Sequence, residues 1–394
     1  KDDSHVLLCA MNRSGKGRGL ITNNLLLWEG SVFCNDPKGE NASVCAARRG
    51  QGSEHTTKFL DQKTCVLDSH HTAKVDDRYR AYYNVLNDLD PNDEDSASLA
   101  EDIAEACITE DVKKDPTWDD MAKPFMKFLL LHIITAPRSD DPAKGYIPDN
   151  ERDLVTFRKM ILTGDFNGLR FCIAHLGLEA VQLDEPDLFE LLLSRMKTNP
   201  SFGGIIADYA RSLEKDMVMQ PKLWNSIRSA AASATSWIDD QKMRKVLRAG
   251  TYPQTFSARE FKENPKGLSL FVCLRLKDQK KYSAWPRILN NMVMGFAQED
   301  YNASPATGHS TLVMLDEMAA LGRMVKMEDD ISGIAGAGVK IFMVLQSLSQ
   351  AQSSYGDSWN NFVANAGTQV YFGINDNFTA EYVSKRLGAV EVIR

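Results

Sequence analysis

The stretch that decides the fold is HVLLCAMNRSGKGRGL, from His5 to Leu20. Its first six residues are largely apolar and predict a buried strand, which runs into a Gly- and Ser-containing turn around Lys16. A strand that turns sharply into a helix aims backbone N–H groups and the positive end of the helix at one point. A lysine in that turn adds a full charge for the β- and γ-phosphates of a nucleotide. The stretch therefore predicts a phosphate-binding loop, the P-loop.

Two residues depart from the strict pattern of this motif, G-x-x-x-x-G-K-[ST]. Ala10 occupies the position of the first glycine, and Gly17 stands where a Ser or Thr would ligand Mg²⁺. On the motif alone, an ordinary glycine-containing turn between a strand and a helix remains an alternative.

A second motif is STLVMLDE, from Ser310 to Glu317. A run this apolar is typical of a parallel strand buried on both faces, and ligands bind at the carboxyl ends of such strands. Asp316 can then hold Mg²⁺, directly or through water, and Glu317 can polarise the attacking water. The alternative is that the two acids only cap a following helix, predicted over MAALGRMV.

A third predicted strand, Val339 to Leu345, is followed by Gln346. A glutamine at a strand end can hydrogen-bond both a γ-phosphate and the lytic water, so it can report hydrolysis to the next segment. The alternative is a surface amide in a helix cap.

Several longer strings resemble the VirD4/TraG family, the coupling-protein ATPases of type IV secretion and conjugation systems. They are RSGKGRGL and WEGSVFCNDPKGE near the start, and VMLDEMAALGR, SGIAGAGVKIFMVLQSLSQ and NAGTQVYFGINDNFTAEYVSKRLG near the end. The resemblance covers about the first 50 and the last 125 residues well and the middle weakly. Family members commonly lack the first P-loop glycine and carry Gly after the lysine, so both departures fit the family.

The resemblance implies an α/β fold, in which a RecA-like P-loop domain is interrupted by an inserted all-α domain. It also implies a homo-hexameric ring at the cytoplasmic face of the bacterial inner membrane, with a membrane anchor ahead of the P-loop that this chain does not contain. Such a ring recruits relaxase-bound DNA or effector and adaptor proteins, and uses ATP hydrolysis to deliver them to inner-membrane secretion components. The alternative is a docking platform that nucleotide stabilises and that has little motor activity.

The residues expected to form the site follow from the motifs together with this resemblance. ATP and Mg²⁺ are the expected cofactors, and Asp316, Glu317 and Gln346 have the roles given above. Arginines from a neighbouring subunit commonly complete such sites, because charge spreads over the transferred phosphoryl group. Asp36 and Lys38, after a neighbouring strand, are expected to shape the site or the channel, or else form a Pro-containing turn. The phosphate-binding candidates are Arg13, Ser14, Gly15, Lys16, Gly17 and Arg18, and the candidates for the arginine are Arg323, Arg386 and Arg13.

The sequence separation between Lys16 and Asp316 indicates an insertion of domain size. A RecA-like core needs only a few βαβ units between these two motifs, and each unit takes about 30 residues. From Asp88 to Gly250 the pattern is helical almost throughout, with no convincing strand. We therefore predict a first part of the RecA-like domain over 1–87, an all-α domain over 88–250, and a second part of the RecA-like domain over 251–394. Lys266 to Arg275 reads as a further strand of that second part.

The net charge of −7 hides an uneven distribution. Asp88 to Asp120 holds thirteen acidic and two basic residues, whereas Lys242 to Arg287 holds twelve basic and three acidic ones. A basic stripe can follow a phosphate backbone, and an acidic face can receive basic protein cargo. Solvated surface with locally biased charge is the alternative for both.

The sequence also bears on cysteine chemistry, on membrane spans and on a third function class. The seven cysteines show no C-x-x-C pair, so we expect small apolar residues in a reducing compartment and no structural metal. No stretch approaches 18 apolar residues, so no membrane span is predicted. A third function class, a small-molecule or guanine-nucleotide P-loop enzyme, has the least support. The guanine-recognition motif N-K-x-D is missing, and the inserted segment is larger than the lid domain that such enzymes typically carry.

Overall fold

The structure is a computed structural model, and it describes residues 4–108, 117–138, 147–165, 185–299 and 310–388. The chain divides into two compact units. The sheet unit comprises, among the described residues, 4–80 and 258–388, and the helical unit comprises those between 81 and 257. A long helical segment therefore interrupts the sheet unit in sequence.

The sheet unit contains one sheet of seven strands, all parallel to their neighbours, in the order β3-β4-β2-β5-β6-β1-β7. The strands are β1 (His5–Ala10), β2 (Ser31–Asp36), β3 (Lys63–Asp68), β4 (Leu268–Cys273), β5 (Thr311–Leu315), β6 (Val339–Leu345) and β7 (Ala366–Phe372). The predicted strands around Lys266 to Arg275, Ser310 to Glu317 and Val339 to Leu345 are thus confirmed as β4, β5 and β6. Every residue of β2, β4 and β5 is buried, as expected for central parallel strands.

Fifteen α-helices are formed by the residues that the structure describes. They are α1 (Thr22–Leu27), α2 (Glu40–Arg49), α3 (Ser96–Cys107), α4 (Thr117–Thr135), α5 (Leu154–Thr163), α6 (Glu185–Met196), α7 (Ile205–Met219), α8 (Pro221–Ala234), α9 (Gln241–Leu247), α10 (Glu260–Glu263), α11 (Ala284–Glu299), α12 (Val325–Asp330), α13 (Leu348–Tyr355), α14 (Trp359–Ala364) and α15 (Asn377–Leu387). Of these, α3 to α9 belong to the helical unit. One face of the sheet packs against Ile21, against Leu25 of α1, and against Ala42, Cys45 and Ala46 of α2 in a single apolar core.

The predicted fold class, an α/β RecA-like domain with an inserted all-α domain, is confirmed. Between residues 88 and 250, the described residues form helices and turns and no strand. The segments next to this interval, 81–87 and 251–257, pack with the helices. Tyr82 N donates to Gln254 O at 2.9 Å, which joins the two segments, and Tyr83 N donates to Val246 O of α9 at 2.8 Å. The compact units therefore change over at 80/81 and 257/258, outside the expected 87/88 and 250/251.

Among the described residues, no helix is both long and apolar enough to cross a membrane. The apolar run Phe125 to Ile134 forms the second half of α4, where most of its side chains are buried in the helical unit. The described cysteines are all free and buried, as small apolar residues would be. Cys172 lies outside the described residues.

A buried arginine ties together the ends of three strands that lie opposite the P-loop edge of the sheet. The Arg49 guanidinium, at the end of α2, is fully buried and uses all of its N–H groups. It donates to Ser269 Oγ at 2.6 Å and Gln62 Oε1 at 2.8 Å. The other acceptors are the backbone oxygens of Leu25, Trp28 and Gly30, at 2.5 to 2.7 Å. Burial lowers the pKa of Arg49 to about 10, so the side chain stays charged at neutral pH.

Replacing Arg49 by methionine should lower the free energy of unfolding by about 3 kcal/mol or more, because several buried oxygens lose their donor. The matched control is Arg48→Met on the preceding, partly exposed residue, which should cost no more than about 0.5 kcal/mol. Urea unfolding followed by circular dichroism measures both. Equal midpoints for the two variants would contradict the prediction.

Candidate nucleotide-binding site

The site lies at the carboxyl edge of the sheet, where three neighbouring strands end. β1 leads into the P-loop, β6 ends before Gln346, and β5 ends before Asp316 and Glu317. The sheet order places β6 between β5 and β1. The acid pair therefore reaches the P-loop across the strand that carries the glutamine, and Gln346 stands between the two motifs.

The P-loop turns sharply because two of its residues adopt left-handed backbone angles. Arg13 has φ +63° and Gly15 has φ +94°. A Cβ on Gly15 would meet nothing within 4 Å, so the backbone conformation, and not a lack of space, favours glycine there. The Ser14 hydroxyl donates to Met11 O at 2.6 Å and closes the turn. A π-helical turn, Gly17–Ile21, then runs directly into α1.

The ammonium group of Lys16 is buried at the mouth of this turn. The residue is 8% exposed, and its Nζ has no hydrogen-bond partner among the residues that the structure describes. Its ion-pair partner is Glu317, with Nζ to Oε1 at 3.8 Å. A buried cation with unused donors is costly, and an anionic phosphate would satisfy it.

Asp316 is the counterpart of opposite charge. Its Oδ1 is buried and accepts no hydrogen bond within the described part of the chain. Burial raises the pKa of this carboxyl, the charge of Lys16 opposes that rise, and the neighbouring Glu317 adds to it. Asn35 Nδ2 on β2 donates to the Asp316 backbone oxygen at 2.9 Å and fixes the strand end. The orphaned carboxylate oxygen fits a Mg²⁺ ion or one of its water ligands.

Glu317 is held between the P-loop lysine and the glutamine. Gln346 Nε2 donates to Glu317 Oε2 at 2.9 Å, while the other carboxylate oxygen is the one near Lys16. The Gln346 backbone N–H donates in turn to Gln350 Oε1 at 3.0 Å, which fixes the turn after β6. Glu317 itself has φ +61°, a rare conformation for a residue with a side chain. Strained backbone of this kind clusters at functional sites.

The helix predicted over MAALGRMV is wrong. Met318–Leu321 forms a short 3₁₀ turn, which ends at Gly322, where φ is +74°. The next helix, α12, begins only at Val325. Although Glu317 precedes the 3₁₀ turn, its side chain makes no capping hydrogen bond. The capping alternative for the acid pair is therefore not supported.

The other candidate residues occupy different environments. Arg13, Arg18 and Lys38 are exposed, whereas Asp36 is buried. Burial raises the pKa of Asp36 to about 7, against hydrogen bonds that it accepts at the start of α2. Of the candidate arginines, Arg323 pairs with Glu328 at 2.9 Å, and Arg386 lies 5.9 Å from the Tyr382 ring.

Several charged residues in the two biased stretches have local partners. In the basic stretch, Arg248 pairs with Asp153 at 2.6 Å, and the buried Arg287 donates to Leu321 O at 2.7 Å. In the acidic stretch, Glu101 pairs with Lys127 at 2.6 Å. Residues 109–116 of that stretch lie outside the described residues. These contacts favour surface and structural roles for many of the charges.

Sequence reasoning missed two asparagines and a second glutamine. Asn35 and Asn41 flank the string DPKGE, and Gln350 follows Gln346 by one helical turn. Polar side chains next to a predicted strand end are the signal that could have indicated Asn35. Asn41 and Gln350 lie on the following helices, and only the folded backbone shows that they turn back toward the strand ends.

Comparisons with known proteins agree with this geometry. The family model for type IV secretory system conjugative DNA transfer matches residues 1–392. VirD4 of Agrobacterium fabrum is 26% identical over 393 residues, which is 98% of this chain and 50% of that protein. A conjugal transfer protein TraG of Escherichia coli is 22% identical over 407 residues, 99% of this chain and 56% of that protein. The chain thus spans about half the length of these curated relatives.

Solved structures show the same fold. The plasmid coupling protein TrwB, in complex with the non-hydrolysable ATP analogue ADPNP, superimposes with a TM-score of 0.57 at 17% identity, over 93% of this chain and 70% of that one. TrwB in complex with ADP and Mg²⁺ gives a TM-score of 0.56 over 93% of this chain and 69% of that one. Since the family model spans nearly the whole chain, this protein belongs to the type IV secretory system conjugative DNA transfer family, as a VirD4/TraG coupling protein.

Proposed function

We propose that this chain binds ATP with Mg²⁺ and hydrolyses it to drive the transfer of DNA or protein substrates through a type IV secretion channel. One observation carries the proposal. Two buried atoms of opposite charge, Lys16 Nζ and Asp316 Oδ1, have no hydrogen-bond partners among the described residues, and Lys16 pairs with Glu317, the residue next to Asp316. A triphosphate and a divalent cation would satisfy both atoms together.

Each residue has a definite part in this reaction. Ser14, Gly15, Lys16 and Gly17 would bind the phosphates through backbone N–H groups and the lysine charge, with Arg13 and Arg18 at the rim. Asp316 would hold Mg²⁺, which supplies charge neutralisation at the β- and γ-phosphates. Glu317 would orient the attacking water and accept its proton. Gln346 holds Glu317 in place and would release it on contacting the γ-phosphate.

The surrounding assembly is part of the proposal. TrwB, whose fold this chain shares, is described with an ATP analogue and with ADP and Mg²⁺, which supports the choice of cofactors. We infer a homo-hexameric ring of the sheet units at the inner membrane, in which an arginine of one subunit completes the site of the next. We assign the selection of relaxase-bound DNA, effector or adaptor proteins to the helical unit.

The test is ATP hydrolysis measured across a range of protein concentrations, with and without single- and double-stranded DNA. Turnover should rise more steeply than protein concentration, because neighbouring subunits share the site, and DNA should stimulate it. Lys16→Ala is the blank. Measurable ATP binding without turnover at any concentration would contradict the motor and favour a docking platform that nucleotide only stabilises.

A further inference from the structure

Glu317 has a backbone conformation that residues with side chains rarely adopt. Its φ and ψ angles are +61° and +48°, in the left-handed region. Such a conformation persists only where the surrounding contacts over-determine it. Hydrogen bonds on the two peptide groups that flank the Glu317 Cα can do this. Each peptide group is a rigid plane, so fixing both planes also fixes the direction in which the side chain leaves the backbone.

Both flanking peptide groups are hydrogen-bonded. The Glu317 backbone oxygen accepts the Ala320 N–H at 2.9 Å, which is a local bond within the turn that follows. The Asp316 backbone oxygen accepts Asn35 Nδ2 at 2.9 Å, and this donor lies 281 positions earlier in the chain. The peptide group between Asp316 and Glu317 is therefore held by a side chain of the neighbouring strand, β2.

Asn35 is a buried polar residue near the end of β2. It is 2% exposed and lies in register with Leu315, the last residue of β5. Side chains alternate between the two faces of a strand, so Asn35 lies on the face opposite Val32 and Cys34, which pack in the apolar core with α2. Asparagine is unfavourable in strands, and a buried amide needs hydrogen-bond partners. The bond to Asp316 O supplies one, and it continues the pairing of β2 with β5 by one residue beyond Leu315.

We propose that Asn35 is a positioning residue for Glu317: its amide fixes the preceding peptide group and thereby the direction of the Glu317 carboxylate. That direction determines whether the carboxylate reaches Lys16 Nζ, at 3.8 Å, and Gln346 Nε2, at 2.9 Å. The catalytic consequence rests on the proposed function, because it takes Glu317 as the group that activates water. A displacement of about 1 Å in such a group can cost about 100-fold in rate.

The decisive variant is Asn35→Leu, which removes the donor and keeps a side chain of similar size and branching. The single-turnover rate of ATP hydrolysis should fall by about 10- to 100-fold, because the carboxylate is no longer held in place. The ATP affinity should stay within about twofold of the wild type, because Lys16 and the P-loop are unchanged. A purely structural role predicts a lower free energy of unfolding but an unchanged rate for the bound nucleotide.

Two further single variants accompany it. Asn35→Ala removes the donor without adding bulk, so it gives the same comparison if leucine prevents folding. Asn199→Leu is the matched control, because Asn199 is a buried asparagine of the helical unit that donates to Thr135 Oγ1 at 2.7 Å. This control should lower the free energy of unfolding and change neither the ATP affinity nor the single-turnover rate.

The double variant Asn35→Leu, Glu317→Gln tests whether Asn35 acts through the carboxylate. If it does, the leucine should slow hydrolysis by less than about twofold once the glutamine is present, because the group that it orients is already gone. Two kinetic results would overturn the inference. One is an equal rate in the wild type and Asn35→Leu, and the other is an effect of the leucine that is just as large in the Glu317→Gln background.

Crystal structures of the wild type and Asn35→Leu test the geometry independently of turnover. We expect Glu317 to leave the left-handed region in the variant and to lose its hydrogen bond with Gln346. A variant structure that keeps both features would overturn the inference. Wild-type protein without hydrolysis, or Glu317→Gln with undiminished hydrolysis, would instead remove the proposed role of Glu317 in the reaction. The two structures would still decide whether Asn35 orients this side chain.

Discussion

Replacing Lys16 by alanine should weaken ATP binding by up to about 100-fold and abolish measurable turnover. The lysine supplies the full positive charge at the P-loop, and about 3 kcal/mol, or about 100-fold, is the upper range for a hydrogen bond to a charged group. Because Lys16 Nζ makes no hydrogen bond with the described residues, the polar contact that its removal breaks among them is the 3.8 Å ion pair with Glu317. We therefore expect unfolding at the same temperature as the wild type.

Binding is measured with a fluorescent ATP analogue and turnover by phosphate release. Lys16→Met keeps much of the aliphatic stem and tests whether charge, not packing, is responsible. Lys222→Ala, an exposed lysine of α8, is the matched control and should bind ATP as the wild type does. Wild-type binding and turnover in Lys16→Ala would refute the assignment of His5 to Leu20 as a phosphate-binding loop.

Replacing Glu317 by glutamine should separate binding from chemistry. The two side chains have the same shape, and the new amide oxygen can still accept the hydrogen bond from Gln346 Nε2. The variant should bind ATP at least as tightly as the wild type, because one negative charge near the phosphates is lost. Turnover should fall by about 10²- to 10⁴-fold, the range for losing a general base.

Single-turnover hydrolysis and equilibrium binding on the same preparation measure the two effects. Glu381→Gln, an exposed glutamate of α15, is the control and should change neither quantity. Undiminished hydrolysis in Glu317→Gln would assign the carboxylate to the ion pair with Lys16 alone. A loss of binding together with turnover would show that Glu317 holds the P-loop lysine in place instead of activating water.

Strands β1, β4, β5 and β6 could be predicted from local sequence because they are short apolar runs with polar residues at their ends. β1 spans the predicted His5 to Ala10, and β5 ends directly before the acid pair. The helix after the acid pair was not readable. The sequence of that segment has helical periodicity, but Glu317 and Gly322 adopt positive φ angles that a helix does not allow. The pattern of apolar residues does not predict such backbone angles.

Sequence by itself determined the chemistry that this protein presents: a lysine in a glycine-containing turn, an acid pair and a glutamine, each after an apolar strand. Only the tertiary structure decided how these meet, because strand order depends on pairings between residues hundreds of positions apart. β6 lies between β1 and β5, which brings Gln346 to Glu317 and Glu317 to Lys16. The same long-range packing buried the Arg49 guanidinium among backbone oxygens of Leu25, Trp28 and Gly30. Such contacts form because buried polar and charged groups need hydrogen-bond or ion-pair partners. A local stretch of sequence does not show which distant groups will be buried together.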